Sequence, residues 1–212
     1  MTQSISPPGR PADHASRGAR LGKVFNLPNQ LTTLRLLLSV VLFGLIAWEH
    51  YMTSLALFIL AGATDWLDGF WARKYGQITT LGRILDPFAD KVIICGTFIF
   101  VGAVPRMLEE PWALRTWMVV VIVGRELLVT ALRSFLEDRG SDFSAKMSGK
   151  LKMVLQCIAA GSCLVFVSYT KAALPDWIWW TTVISVWAAV VLTVYSGVVY
   201  VLAAVRLLRE QP

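Results

Sequence analysis

The apolar residues of this chain fall in six blocks: Leu31 to Trp48, Met52 to Trp71, Phe88 to Val104, Trp112 to Phe135, Leu151 to Tyr169 and Trp177 to Val205. Each has at least 17 residues, enough for an α-helix to cross a hydrocarbon core of about 30 Å. With 56% hydrophobic residues, 16% charged residues and a mean hydropathy of +0.59, the chain is too apolar for an ordinary soluble domain. The expected fold class is therefore all-α, a polytopic membrane protein with six transmembrane helices. Collagen, coiled coil and a wholly disordered chain are excluded. Cys95, Cys157 and Cys163 lie inside apolar blocks with no CxxC pair, which fits neither a disulfide framework nor a zinc site.

Residues 1–23 carry Pro7, Pro8, Gly9 and Pro11 with Arg10, Arg17, Arg20 and Lys23, and lack an apolar face. They read as a disordered basic arm, not a signal peptide. Residues 24–209 then form a single membrane domain. Of the 20 Lys and Arg, all but Arg106, Arg115 and Lys171 fall in four groups: the arm through Arg35, Arg73 to Lys91, Arg125 to Lys152, and Arg206 with Arg209. Because positive charge is retained on the cytoplasmic side, both termini are expected there. Trp48, Trp112, Trp117, Trp177, Trp179 and Trp180 cluster at the opposite ends, as an interfacial aromatic belt does. The net charge of +6 points to an anionic lipid or a phosphorylated substrate, and no basic patch interleaved with aromatics supports nucleic acid.

Four acids break this apolar pattern. Asp65 and Asp68 stand near the cytoplasmic end of the second block, and Asp86 and Asp90 open the third. Spacings of three and four put each pair on one helical face, and a cytoplasmic hairpin brings the two faces to one depth. Four carboxylates in a semi-buried site repel one another unless cations occupy it, and hard divalent ions such as Mg²⁺ or Mn²⁺ are the natural solution. Gly69, Ala72 and Gly82 share the Asp faces and let a bulky group approach, while Arg73 adds a planar cation suited to phosphate.

Together, Asp65, Asp68, Gly69, Ala72, Arg73, Gly82, Asp86 and Asp90 resemble the signature of the CDP-alcohol phosphotransferase family at every fixed position. Its members are six-helix membrane enzymes that displace CMP from a CDP-linked alcohol with a second alcohol. The resemblance implies that Asp65, Asp68, Asp86 and Asp90 hold two metal ions and that Asp90 is also the general base. It further implies that Gly69, Arg73 and Thr79 meet the CDP portion, that Gly82 gives it room, and that the enzyme is a homodimer.

The flanks refine this picture. Asn29, Thr32 and Arg35 in the stretch entering the first span, the run from Gly124 to Arg133, and Gly149 to Lys152 resemble the members that use a phosphorylated glycerol as acceptor. Asn29 and Thr32 would then lie near the nucleotide; Met153 departs from that subgroup's pattern, which has Thr. Arg125, Arg133, Lys146, Lys150 and Lys152 supply more positive charge than a neutral alcohol needs, and Arg125 and Arg133, eight residues apart, share a helical face. Arg125, Arg133 and Lys150 are the candidate phosphate ligands. The expected reaction is phosphatidyl transfer from CDP-diacylglycerol to sn-glycerol 3-phosphate, at a bacterial cytoplasmic membrane with the site facing the cytoplasm. The alternatives are another acceptor, such as inositol phosphate, serine or phosphatidylglycerol, and, in a different class, a divalent-cation transporter.

Overall fold

A computed structural model describes the backbone of residues 27–75, 80–137 and 147–210, and side chains within 30–64, 88–133 and 152–206. The basic arm, Thr79 and Lys146 lie outside the described residues. Six long helices and one single-turn helix follow one another: α1 Leu27–Ala47, α2 Tyr51–Tyr75, α3 Thr80–Gly102, α4 Pro105–Leu108, α5 Thr116–Glu137, α6 Met147–Ser168 and α7 Asp176–Glu210. No strand occurs among the described residues.

Short connections dictate an up-and-down arrangement. The end of α1 is a Schellman turn, in which Glu49 takes the left-handed conformation (φ 64°) while its N–H donates to the Ile46 carbonyl and the His50 N–H to Leu45. α2 begins at once at Tyr51. Past α3, Val104 is extended and Pro105 supplies the first residue of α4, where its missing N–H costs nothing. α3 and α6 are central: α3 packs on α1, α5 and α6, and α6 on α2, α3 and α7, while α5 also packs on α7. One approach admits only glycine, because a Cβ on Gly96 would lie 2.0 Å from the Phe43 ring of α1. Phe43 in turn stacks on Phe100 at a centroid distance of 5.0 Å.

Large apolar side chains cover the outer surface, while charged and polar ones join the apolar residues inside. Leu37, Val40, Ile59, Val120, Val191 and Val198 point outward, whereas Arg35, Glu126, Lys152, Gln156 and Thr193 are buried. Some buried hydroxyls are satisfied one turn back along the chain, as in Thr97 to the Ile93 carbonyl and Ser54 to that of His50, whereas Thr182 of α7 donates to the Ser162 carbonyl of α6. The apolar core, including Phe98, Met107, Leu114, Met118 and Phe166, gathers toward the end where Trp112, Trp117 and Trp177 sit. There Trp187 donates to the Trp112 carbonyl and meets Trp117 edge-on.

α7 contains a stretch, Asp176–Arg206, long and apolar enough to cross a membrane; α1, α2 and α6 hold shorter apolar stretches, Thr32–Ala47, Tyr51–Thr64 and Lys152–Ser168. The six uninterrupted spans expected from hydropathy are thus met by one such stretch among the described residues. In α1, α2 and α6 the stretch stops where the run of described side chains stops, at Thr32, Thr64 and Lys152, and in α5 Arg125, Glu126 and Arg133 interrupt it.

Candidate active site

The site is built on the contact between α1 and α3. One turn after Thr32, which is itself buried, Arg35 is 3% exposed and its Nη1 donates to Asp90 Oδ1 at 2.7 Å. A guanidinium so deep in an apolar helix pair needs an anion, and Asp90 supplies it. Asp90 is half-buried, and with Arg35 it closes one end of a cavity of about 610 Å³. The cavity runs between α2, α3 and α6 over Phe58, Ile94 and Val165 to Trp177 and Thr181 at the other end of the bundle. A carboxylate thus borders an apolar slot whose lining runs along α6 from Met153 to Val165, about 18 Å of helix.

Beside it lies a second charged centre. Glu126 on α5 is 2% exposed and accepts from four side chains: Lys91 of α3 on Oε2, and Lys152, Gln156 (3.2 Å) and Arg125 (3.3 Å) on Oε1. Gln156 continues to Thr193 Oγ1 of α7 at 3.3 Å, so α3, α5, α6 and α7 are tied through one carboxylate. Two turns along α5, Arg133 Nη2 donates to the Tyr200 hydroxyl at 3.1 Å. The Tyr200 ring also faces the guanidinium of Arg125 at 5.6 Å and of Arg133 at 5.9 Å. Burial leaves Nε of both arginines without a hydrogen-bond partner.

Of the residues singled out in the sequence, the structure buries Thr32 on α1, brings Asp90 to the α1–α3 contact and brings Arg125 with Arg133 to Tyr200. Asp65, Asp68, Gly69, Ala72 and Arg73 fall in α2, Gly82 and Asp86 in α3, Asn29 in α1 and Lys150 in α6; the side chains at these positions lie outside the described residues. Since α2 ends at Tyr75 and α3 begins at Thr80, the two helix ends are at most about 18 Å apart along an extended chain. Among the described residues no three His, Cys, Asp or Glu gather. The chemistry of the donors nevertheless suits a hard divalent cation: carboxylates alone, and in Asp90 a half-buried one.

Arg35, Lys91, Glu126, Gln156 and Tyr200 carry no assigned role in the sequence reading, yet they hold its candidates in place. The available signal was Glu126 itself, an acid inside an apolar block with cations in the neighbouring blocks.

Comparison with known proteins bears on this geometry. The family model described as CDP-alcohol phosphatidyltransferase matches residues 25–206. A CDP-diacylglycerol--glycerol-3-phosphate 3-phosphatidyltransferase of Bacillus subtilis (strain 168) is 33% identical over 195 residues, covering 82% of this chain and 92% of the relative. Proteins of the same name from Salmonella typhimurium and Escherichia coli (strain K12) are 34% and 32% identical over 190 residues, each covering 85% of this chain and 95% of the relative.

Proposed function

The chain belongs to the CDP-alcohol phosphatidyltransferase family, and on that premise we propose that it transfers the phosphatidyl group of CDP-diacylglycerol to sn-glycerol 3-phosphate, giving phosphatidylglycerol phosphate and CMP. The similarity to relatives named for that reaction supports the choice of acceptor. The observation that carries the reading is Asp90, a half-buried carboxylate at one end of an apolar cavity. Joining a water-soluble alcohol to a lipid phosphate requires a proton acceptor where water and acyl chains meet.

Asp90 takes the proton of the attacking glycerol hydroxyl, and Arg35 holds the carboxylate toward the cavity. The hydroxyl oxygen bonds to the lipid-side phosphorus in line as the bond to CMP breaks. Two Mg²⁺ or Mn²⁺ ions, held by Asp65, Asp68, Asp86 and Asp90, would neutralise diphosphate charge. Asn29, Thr32, Gly69, Ala72, Arg73, Thr79 and Gly82 receive the CDP portion, and the cavity wall receives an acyl chain. Arg125, Arg133 and Lys150 bind the acceptor phosphate through charge-assisted hydrogen bonds.

The apolar outer surface and buried polar interior support a bilayer setting with six spans. The asymmetry of Lys and Arg supports cytoplasmic termini and a cytoplasmic site, and the bacterial relatives support the cytoplasmic membrane. A homodimer, implied by the family resemblance, would use one of the exposed apolar faces.

The test is CMP release by purified protein from CDP-diacylglycerol with Mg²⁺, offering glycerol 3-phosphate, inositol phosphate, serine or phosphatidylglycerol in turn. Glycerol 3-phosphate should be turned over in clear excess; preference for another acceptor would overturn the proposal.

A further inference from the structure

Glu126 stands apart from the catalytic acids. It is almost wholly buried, and it is neither a member of the Asp signature nor close to it in sequence. A single buried carboxylate balances one charge, yet three cations converge on it: Lys91 from α3, Arg125 from its own helix and Lys152 from α6. Adjacent residues on a helix do not ordinarily face each other, so Arg125 must fold back to reach Glu126, at 3.3 Å. The centre therefore holds two positive charges in excess among the described residues. Its donors are also in excess. Each ammonium carries three N–H groups and gives one to Glu126, and Arg125 keeps a buried Nε with no partner.

Side-chain exposure shows where this surplus opens. Lys152 is 6% exposed and Arg125 9%, while Lys91, which directly follows Asp90, is 32% exposed. Lys91 is thus the member of the centre that remains accessible. A phosphate monoester carries about two negative charges and three acceptor oxygens at neutral pH, matching the surplus in both charge and donors. A neutral polyol matches neither.

We infer that Glu126 is a positioning residue for the acceptor: it gathers Lys91, Arg125 and Lys152 into a preassembled cradle whose remaining donors take the acceptor's phosphate monoester. This rests on the proposed phosphatidyl transfer to glycerol 3-phosphate and adds Lys91 and Lys152 to the residues that recognise it. Without Glu126, three closely set cations repel one another and splay. The order that the carboxylate imposes before binding would then have to be imposed by the acceptor, at the expense of affinity. Glu126 touches no reacting atom.

The sign of one KM change separates positioning from bulk charge. Glu126→Gln removes a negative charge beside the cradle. If charge alone governed binding, the KM for glycerol 3-phosphate would fall. Positioning requires it to rise, by about tenfold, the equivalent of one lost charge-assisted hydrogen bond, with the KM for CDP-diacylglycerol held within about twofold. Glu126→Asp restores the charge on a shorter stem and should recover part of the loss. Steady-state kinetics on purified, monodisperse protein, varying each substrate in turn, reads all of these. An unchanged or lower glycerol 3-phosphate KM in folded Glu126→Gln overturns the inference. Should that variant fail to fold, Lys91→Met and Lys152→Met take its place, each expected to raise the same KM several-fold, and unchanged values in both overturn the inference equally. Wild-type protein that does not turn over glycerol 3-phosphate would instead remove the functional reading beneath it.

Discussion

The two ends of the bundle solve opposite problems. At the tryptophan end, Phe98, Val101, Met107, Leu114, Met118 and Phe166 exclude solvent from one another, and the one deep cation, Arg106, is neutralised locally. It pairs with Glu110 at 3.4 Å and lies over the Phe166 ring at 4.8 Å. At the aspartate end the same helices bury Arg35, Glu126, Lys152 and Gln156 and connect them across helices. One end is held by shape and the other by charge. Substitutions at the first should therefore cost stability, and substitutions at the second should cost chemistry or substrate binding.

The sharpest test of that division is Asp90→Asn. The amide oxygen still accepts from Arg35, so the α1–α3 contact survives while the proton acceptor is lost. Turnover should fall by at least about 100-fold in protein that still folds in detergent but melts lower, because Arg35 loses its counter-charge, and near-normal turnover with metal present would remove Asp90 from the base role. Next comes Gly96→Ala. Its methyl group would drive into the Phe43 ring, and overpacking of this kind costs about 1 to 3 kcal/mol. The melting temperature should drop while turnover per folded molecule is retained. Lost turnover at unchanged stability would erase the distinction between the two ends. Tyr200→Phe should have the smallest effect. The ring still faces Arg125 and Arg133, but the hydroxyl that accepts from Arg133 is gone. A loss of about 0.5 to 1.5 kcal/mol, read as a modest rise in glycerol 3-phosphate KM with stability intact, is expected.

Much of the tryptophan end is legible in the sequence, because hydropathy reports burial in lipid directly and the interfacial tryptophans mark their own depth. The aspartate end is legible only in part. The spacing of Asp65, Asp68, Asp86 and Asp90 is local, so it can be read along the chain, and the structure places these positions in α2 and α3. The supporting partners are not local. Lys91 is 35 residues from Glu126, Lys152 is 26, and Tyr200 is 67 from Arg133, so their meeting depends on which helices pack together. Hydropathy also puts the start of the third span at Phe88, eight residues late. α3 begins at Thr80, since a helical turn containing Arg83 and Asp86 has no apolar signature. At the other end it puts the fourth span at Trp112, whereas α5 begins at Thr116 because Trp112 to Arg115 belong to the preceding loop.

α7 has 35 residues, about 52 Å of helix at 1.5 Å per residue, against a hydrocarbon core of about 30 Å. Tyr200 stands about 36 Å from the start of the helix by the same rise. In the proposed topology the tryptophans around Asp176 sit at one interface, and Tyr200 and the two arginines it faces are carried to the opposite water boundary. If Arg125 and Arg133 bind the acceptor phosphate as proposed, the helix acts as a depth gauge, setting how far beneath the surface that phosphate must descend to reach them. Bilayer thickness thereby becomes a parameter of acceptor capture: a thicker membrane draws the arginines below the water line, and a thinner one lifts them clear of it.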